Sequence, residues 1–154
     1  MRTVLGQQET NMKKEVILNS KIDDEGYNTS PTLPEGVKNY LIDIDGTITD
    51  DVPNEEPERM KQVIPYEGAV DILNKWYDEG HIITFFTSRT EEVREITEEW
   101  LDKWGFKYSN LLMGKPRGGN YHWVDNHIVK GTRYKGQWTE LIKKTLEIEV
   151  FDDE

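Results

Sequence analysis

Two carboxylates one residue apart, Asp43 and Asp45, stand directly after the apolar run Tyr40-Leu41-Ile42. If that run is a strand, both acids project near its end, where like charges cost energy unless a cation neutralises them. A hard cation with oxygen ligands meets that need, and Mg²⁺ accepts a few carboxylates together with waters and a substrate phosphate. Gly46 follows and lets the chain turn in a conformation costly for other residues. Other chemically capable residues occupy comparable places: Thr87 ends HIITFFT, Lys115 follows Leu111-Leu112-Met113, and Asp125 follows Trp123-Val124.

The charge is distributed to match. From Asp43 to Glu58 there are seven acids and no Lys or Arg, whereas Lys107 to Lys135 holds six Lys or Arg and one acid, Asp125. A lone acid at an apolar segment's end within a basic stretch is a candidate partner for the first two.

The elements that must position these residues alternate. Asn39–Asp43 reads as a strand. Pro65 is expected to open a helix with Ala69, Ile72, Leu73 and Trp76 on one face, stopped at Gly80. His81–Thr87 reads as a buried strand. Ser88 and Glu91 have capping-box spacing, and Val93, Ile96, Trp100 and Trp104 mark the helix face that follows. Asn110–Met113 reads as a third strand, Tyr121–Val124 as a fourth, and Gln137–Glu147 as a final helix. Alternation of this kind predicts an α/β fold with a doubly wound, Rossmann-like, mostly parallel sheet flanked by helices. Ligands of such sheets bind at the carboxyl ends of the strands, where the acids, Thr87 and Lys115 stand. Residues 1–36 are expected to be a polar, peripheral extension, in which Val16-Ile17-Leu18 could pair as a short strand. The catalytic domain is expected over 37–154.

The pattern Asp43-Ile44-Asp45-Gly46-Thr47 after an apolar strand resembles the first motif of the haloacid dehalogenase (HAD) phosphatases. By that resemblance Asp43 is the nucleophile that becomes an aspartyl-phosphate, and Asp45 is the acid/base. Thr87 matches the second motif, a hydroxyl on the phosphoryl group. Lys115 matches the third, and Asp125 matches the fourth, an acid that helps hold Mg²⁺ with Asp43 and, by the same resemblance, the backbone carbonyl of Asp45. The turn at Ser88 and Arg89, with Arg117 and Arg133, supplies candidates for binding substrate anions. Asn126 stands where many members carry a second acid, and only nine residues separate Lys115 from Asp125. The compact GKP…VD arrangement is similar to small HAD phosphatases of surface-sugar synthesis. Asp45–Pro65 has room only for a flap, so no cap domain is expected, and a second copy of the chain is the expected cover.

Composition narrows the alternatives. The chain has 154 residues, no Cys and a formal charge of −11. Disulfides and thiolate chemistry are excluded, no apolar run is long enough to span a membrane, and the cytoplasm is the expected compartment. Nucleic acid is disfavoured as a partner by the charge and by the acidic stretch Glu55-Glu56-Glu58. The expected activity is therefore hydrolysis of a small phosphorylated sugar or sugar acid. The alternatives are a nucleic-acid or nucleotide end phosphatase and, from another class, a phospho-accepting receiver domain.

Overall fold

The computed structural model describes residues 21–139, 142 and 148–151. A short antiparallel hairpin, β1 (Lys21–Ile22) and β2 (Asn28–Thr29), precedes the main body. Asp23 closes its turn, accepting the N–H groups of Glu25 and Tyr27 on its side chain. Val16-Ile17-Leu18 lies outside the described residues.

The main sheet has three parallel strands in the order β3 (Asn39–Ile42), β4 (Ile82–Phe86), β5 (Asn110–Leu112). Registration pairs Asn39 with Ile82 and Thr84 with Asn110, so the three carboxyl ends come out side by side. Strand β4 is central. Its Ile82, Ile83 and Phe85 are fully buried, as a parallel strand covered on both faces requires. Each such side chain stabilises the fold by about 1.5–3 kcal/mol through removal from water. Between the strands lie α1 (Pro57–Met60), α2 (Ala69–Asp78), a 3₁₀ turn (Glu91–Val93) and α3 (Arg94–Lys103). Helix α2 buries Ala69, Leu73 and Tyr77, and α3 buries Thr97, Trp100 and Leu101. Apart from Thr97, these side chains form one core with Ile44, Ile48, Phe85 and Phe106. This is the parallel, helix-flanked α/β architecture that the alternation predicts, and residues 45–65 carry no helix beyond the four-residue α1.

Three local expectations are corrected. The helix predicted from Pro65 begins at Ala69, because Pro65 bridges Thr49 and Gly68 is left-handed at φ 84°. Ser88 and Glu91 form no capping box. Thr87 Oγ1 takes the Arg89 N–H instead, and the chain enters α3 through the 3₁₀ turn. Tyr121–Val124 is not a strand. Gly118, Gly119 and Asn120 have positive φ, and Asp125 bends the chain by accepting the His127 N–H at 2.9 Å. Tyr121, Trp123 and Val124 are left exposed. Of the predicted final helix, Gln137–Thr139 is irregular and most of the remainder lies outside the described residues.

Candidate active site

Strand β3 delivers Asp43 to the edge of the core, and the next residues fold into a tight loop. Ile44 and Ile48 are fully buried and anchor it, while Thr47 N–H and Ile48 N–H both donate to the Ile44 carbonyl. Gly46, at φ 81°, makes the turn between them. Two acids are thereby held at adjacent positions with different surroundings.

The Asp43 carboxylate is about one-third exposed. Its Oδ1 accepts Lys115 Nζ at 2.7 Å, and its Oδ2 accepts Thr47 Oγ1 at 2.9 Å. Lys115 arrives because its own backbone N–H donates to the Thr87 carbonyl at the end of β4, 2.8 Å away. Thr87 N–H donates in turn to the Leu112 carbonyl at the end of β5. Three strand ends are thus tied into one cluster holding Asp43, Asp45, Thr87 and Lys115. The Lys115 side chain is mostly buried, with its ammonium 5.2 Å from the centre of the Tyr121 ring.

Asp45 has a different partner. Its two oxygens accept Arg89 Nε at 2.9 Å and Nη2 at 2.8 Å. Arg89 is only 2% exposed, which corrects its expected role: a guanidinium buried against Asp45 is not available to a substrate anion. Ser88 is half-buried on the same turn, whereas Arg117 and Arg133 lie exposed on loops.

Asp125 also departs from expectation. It is exposed, and its carboxylate accepts Trp123 Nε1 at 3.1 Å and the His127 N–H. These two bonds to its own loop hold it below the ordinary carboxylate pKa, the His127 bond contributing most. Among the described residues no three acidic or imidazole side chains are grouped as a cation site would need. Asp43 is held by Lys115 and Asp125 by its own loop, so the two expected carboxylate ligands of Mg²⁺ are each engaged elsewhere, while Arg89 holds the Asp45 carboxylate and not the backbone carbonyl expected to serve as its ligand.

Three contributors were not anticipated: Thr47 on Asp43, Thr97 on Arg89, and Trp138. The Trp138 indole donates to the Thr47 carbonyl at 2.9 Å and so ties the segment after Tyr134 to the catalytic loop. Beside it a cleft of about 750 Å³ opens, lined by Gly46, Tyr66, Tyr134, Lys135 and Trp138 among others. In its lining Tyr66 and Tyr134 stack on each other, with ring centres 6.0 Å apart. Thr47 was legible in principle, four residues beyond Asp43 within the motif. Trp138 had no local signal.

Comparison with known proteins agrees with this chemistry. The family model described as "PITM 1-3, LNS2 domain" matches residues 40–130, more than half of the chain. No curated protein matches the chain in sequence. Among solved structures, a structural-genomics target from Vibrio cholerae is 26% identical over 60% of this chain and 83% of that one, with a TM-score of 0.45. The Pnkp1/Rnl/Hen1 complex is 22% identical over 69% of this chain, which spans 40% of that one, also at a TM-score of 0.45. Both are distant likenesses. None of these findings points to surface-sugar enzymes in particular. The match over residues 40–130 takes in Asp43, Asp45, Thr87, Lys115 and Asp125, and the chain belongs to the LNS2 domain family of HAD-like phosphatases, phosphoric monoester hydrolases by reaction class.

Proposed function

We propose that the chain hydrolyses a small phosphomonoester through an aspartyl-phosphate on Asp43. The observation that carries this reading is the Asp43–Lys115 contact at 2.7 Å, between residues 72 positions apart, with Asp45 on the same loop. An Asp43 oxygen attacks phosphorus while the bond from phosphorus to the leaving oxygen breaks. Asp45 gives that oxygen its proton. Asp45 then takes a proton from water, whose oxygen attacks phosphorus and releases Asp43 as the carboxylate. Lys115 and the Thr87 turn offset negative charge on the phosphoryl oxygens.

The substrate we favour is a phosphorylated sugar or sugar acid, with the reaction in the cytoplasm. Its support is chemical. The cleft beside Gly46 is lined by the aromatic side chains of Tyr66, Tyr134 and Trp138, an apolar wall for a ring, with Lys135 for an anionic substituent. The acidic stretch Glu55-Glu56-Glu58 disfavours a polyanion, so an end-processing role on nucleic acid is not preferred. The receiver alternative gives way to the phosphatase family assignment. HAD-like phosphatases generally use Mg²⁺, and we retain it as the cofactor of this reading. A second copy of the chain is the proposed cover for the open site.

Asp43→Asn is expected to lower turnover roughly 10³-fold or more, the scale of losing a covalent catalyst. Chelator should abolish hydrolysis and Mg²⁺ restore it. Near-normal rates in Asp43→Asn refute the mechanism. Preference for phosphorylated oligonucleotides over sugar phosphates refutes the substrate class and leaves the chemistry standing.

A further inference from the structure

We infer that Arg89 is a positioning residue that aims Asp45 for proton transfer, and that Thr97 of α3 holds Arg89 in turn. The inference rests on the reading of Asp45 as the acid/base. Arg89 presents a rigid fork of donors. Nε and Nη2 meet the two Asp45 oxygens at 2.9 and 2.8 Å, and Nη1 meets Thr97 Oγ1 at 3.0 Å. Thr97 Oγ1 donates its own hydrogen to the Val93 carbonyl at 2.7 Å, so toward Arg89 it acts as an acceptor. The Arg89 backbone is fixed on both sides, its N–H on Thr87 Oγ1 and its carbonyl on the Gly114 N–H. An unbroken series of hydrogen bonds therefore runs from α3 through Arg89 to the loop that carries Asp43.

Burial makes the arrangement consequential. The Arg89 side chain is 1% exposed and that of Asp45 is 15% exposed, so little water competes for either. Removing one partner of such a pair leaves an uncompensated charge in the interior. The bidentate geometry also leaves a defined remainder. An ionised carboxylate has about four acceptor positions, of which Arg89 takes two and the Val52 N–H, 3.4 Å from Oδ1, a third. The position left on Oδ2 faces the leaving oxygen or the attacking water, in a plane set by the guanidinium. Lysine keeps the charge and lacks the fork. Valine at 97 keeps the shape and lacks the acceptor.

The test uses the full chain and two substrates: p-nitrophenyl phosphate, whose leaving group departs without a proton, and glycerol phosphate, whose alkoxide needs one. Arg89→Lys should lower kcat/KM on glycerol phosphate about 10²-fold and Thr97→Val about tenfold, the range expected when a reacting group is displaced by about 1 Å. Losses in kcat/KM on p-nitrophenyl phosphate should be much smaller, because kcat/KM reports the steps up to phosphorylation of Asp43 and not the later attack of water, which both substrates share. In an Asp45→Asn background neither change should add a further loss, because both act through Asp45. Thermal unfolding of each variant accompanies the kinetics, and Thr97→Val, which keeps the ion pair, carries the test if Arg89→Lys fails to fold. Equal losses on both substrates, or losses that add to that of Asp45→Asn, overturn the inference while the parent mechanism stands. Full activity in Asp43→Asn or Asp45→Asn overturns the parent mechanism and the inference with it.

Discussion

At the scale of single residues, Asp43 is bonded at both oxygens, by Lys115 at Oδ1 and by Thr47 at Oδ2. Both contacts fix the carboxylate, but only Lys115 adds positive charge where a phosphoryl group would gather negative charge. Lys115→Met is therefore expected to lower kcat/KM by about 10²–10³-fold, the cost of losing a preorganised electrostatic partner. Thr47→Val should cost roughly tenfold by loosening the carboxylate alone. Steady-state kinetics of both variants checks the order, and a Thr47 loss exceeding that at Lys115 contradicts it. The pairing of Asp43 with Lys115 was legible because each follows an apolar run that could only be a strand. The position of Arg89 was not, since an Arg in a turn faces solvent as readily as it faces inward. The one hint was Thr97, a polar residue on the buried side of a helix. Asp125 misled because Trp123-Val124 reads as a strand end, whereas an aspartate that captures the N–H two residues on makes a bend instead.

At the scale of elements, α3 carries a correctable flaw. Asp102 lies in its last turn, four residues after Glu98, where a negative charge opposes both its neighbour and the helix dipole. Burial and the Glu98 charge raise the Asp102 pKa above its ordinary value of 3.8. An acid whose pKa is higher folded than unfolded costs nothing when protonated in both states, and it destabilises the fold once pH has risen past the folded value. Asp102→Asn should then stabilise the chain at pH 7 by a few tenths of a kcal/mol, the size of an i,i+4 charge pair. The gain should vanish below pH 3.8, where both states bind the proton. Chemical denaturation at the two pH values reads the difference, and an equal gain at both rejects the electrostatic cause. The strands themselves were legible to within a residue or two, because β4 is buried on both faces and its composition shows it. The helix starts were not, because Gly68 and the Thr87–Arg89 bond set them, and neither leaves a periodic trace.

At the scale of the whole molecule, a formal charge of −11 on 154 residues means that folding gathers like charges together. Raising NaCl from about 20 mM to about 300 mM shortens the screening length and should raise Tm by about 2–4 °C, the shift that about 1 kcal/mol produces in a chain of this size. A falling Tm would show that the surface ion pairs outweigh the general repulsion. The overall class was legible because alternating strands and helices admit few arrangements, while the placement of Trp138 on the Thr47 carbonyl depends on a contact across 91 residues. The glycine-rich loop after Lys115 has a practical consequence. Every residue from 116 to 128 is exposed, and Gly118, Gly119 and Asn120 hold the backbone out at positive φ. Trypsin cuts poorly before proline, so the Lys115-Pro116 bond should survive while Arg117-Gly118 is cleaved early. The nick would leave Asp43, Asp45, Thr87, Arg89 and Lys115 together on one fragment and Asp125 and Trp138 on the other. Brief digestion should therefore give two bands on a denaturing gel from a particle that still elutes as one, with the fragments held by the Trp138–Thr47 bond and the stacked tyrosines.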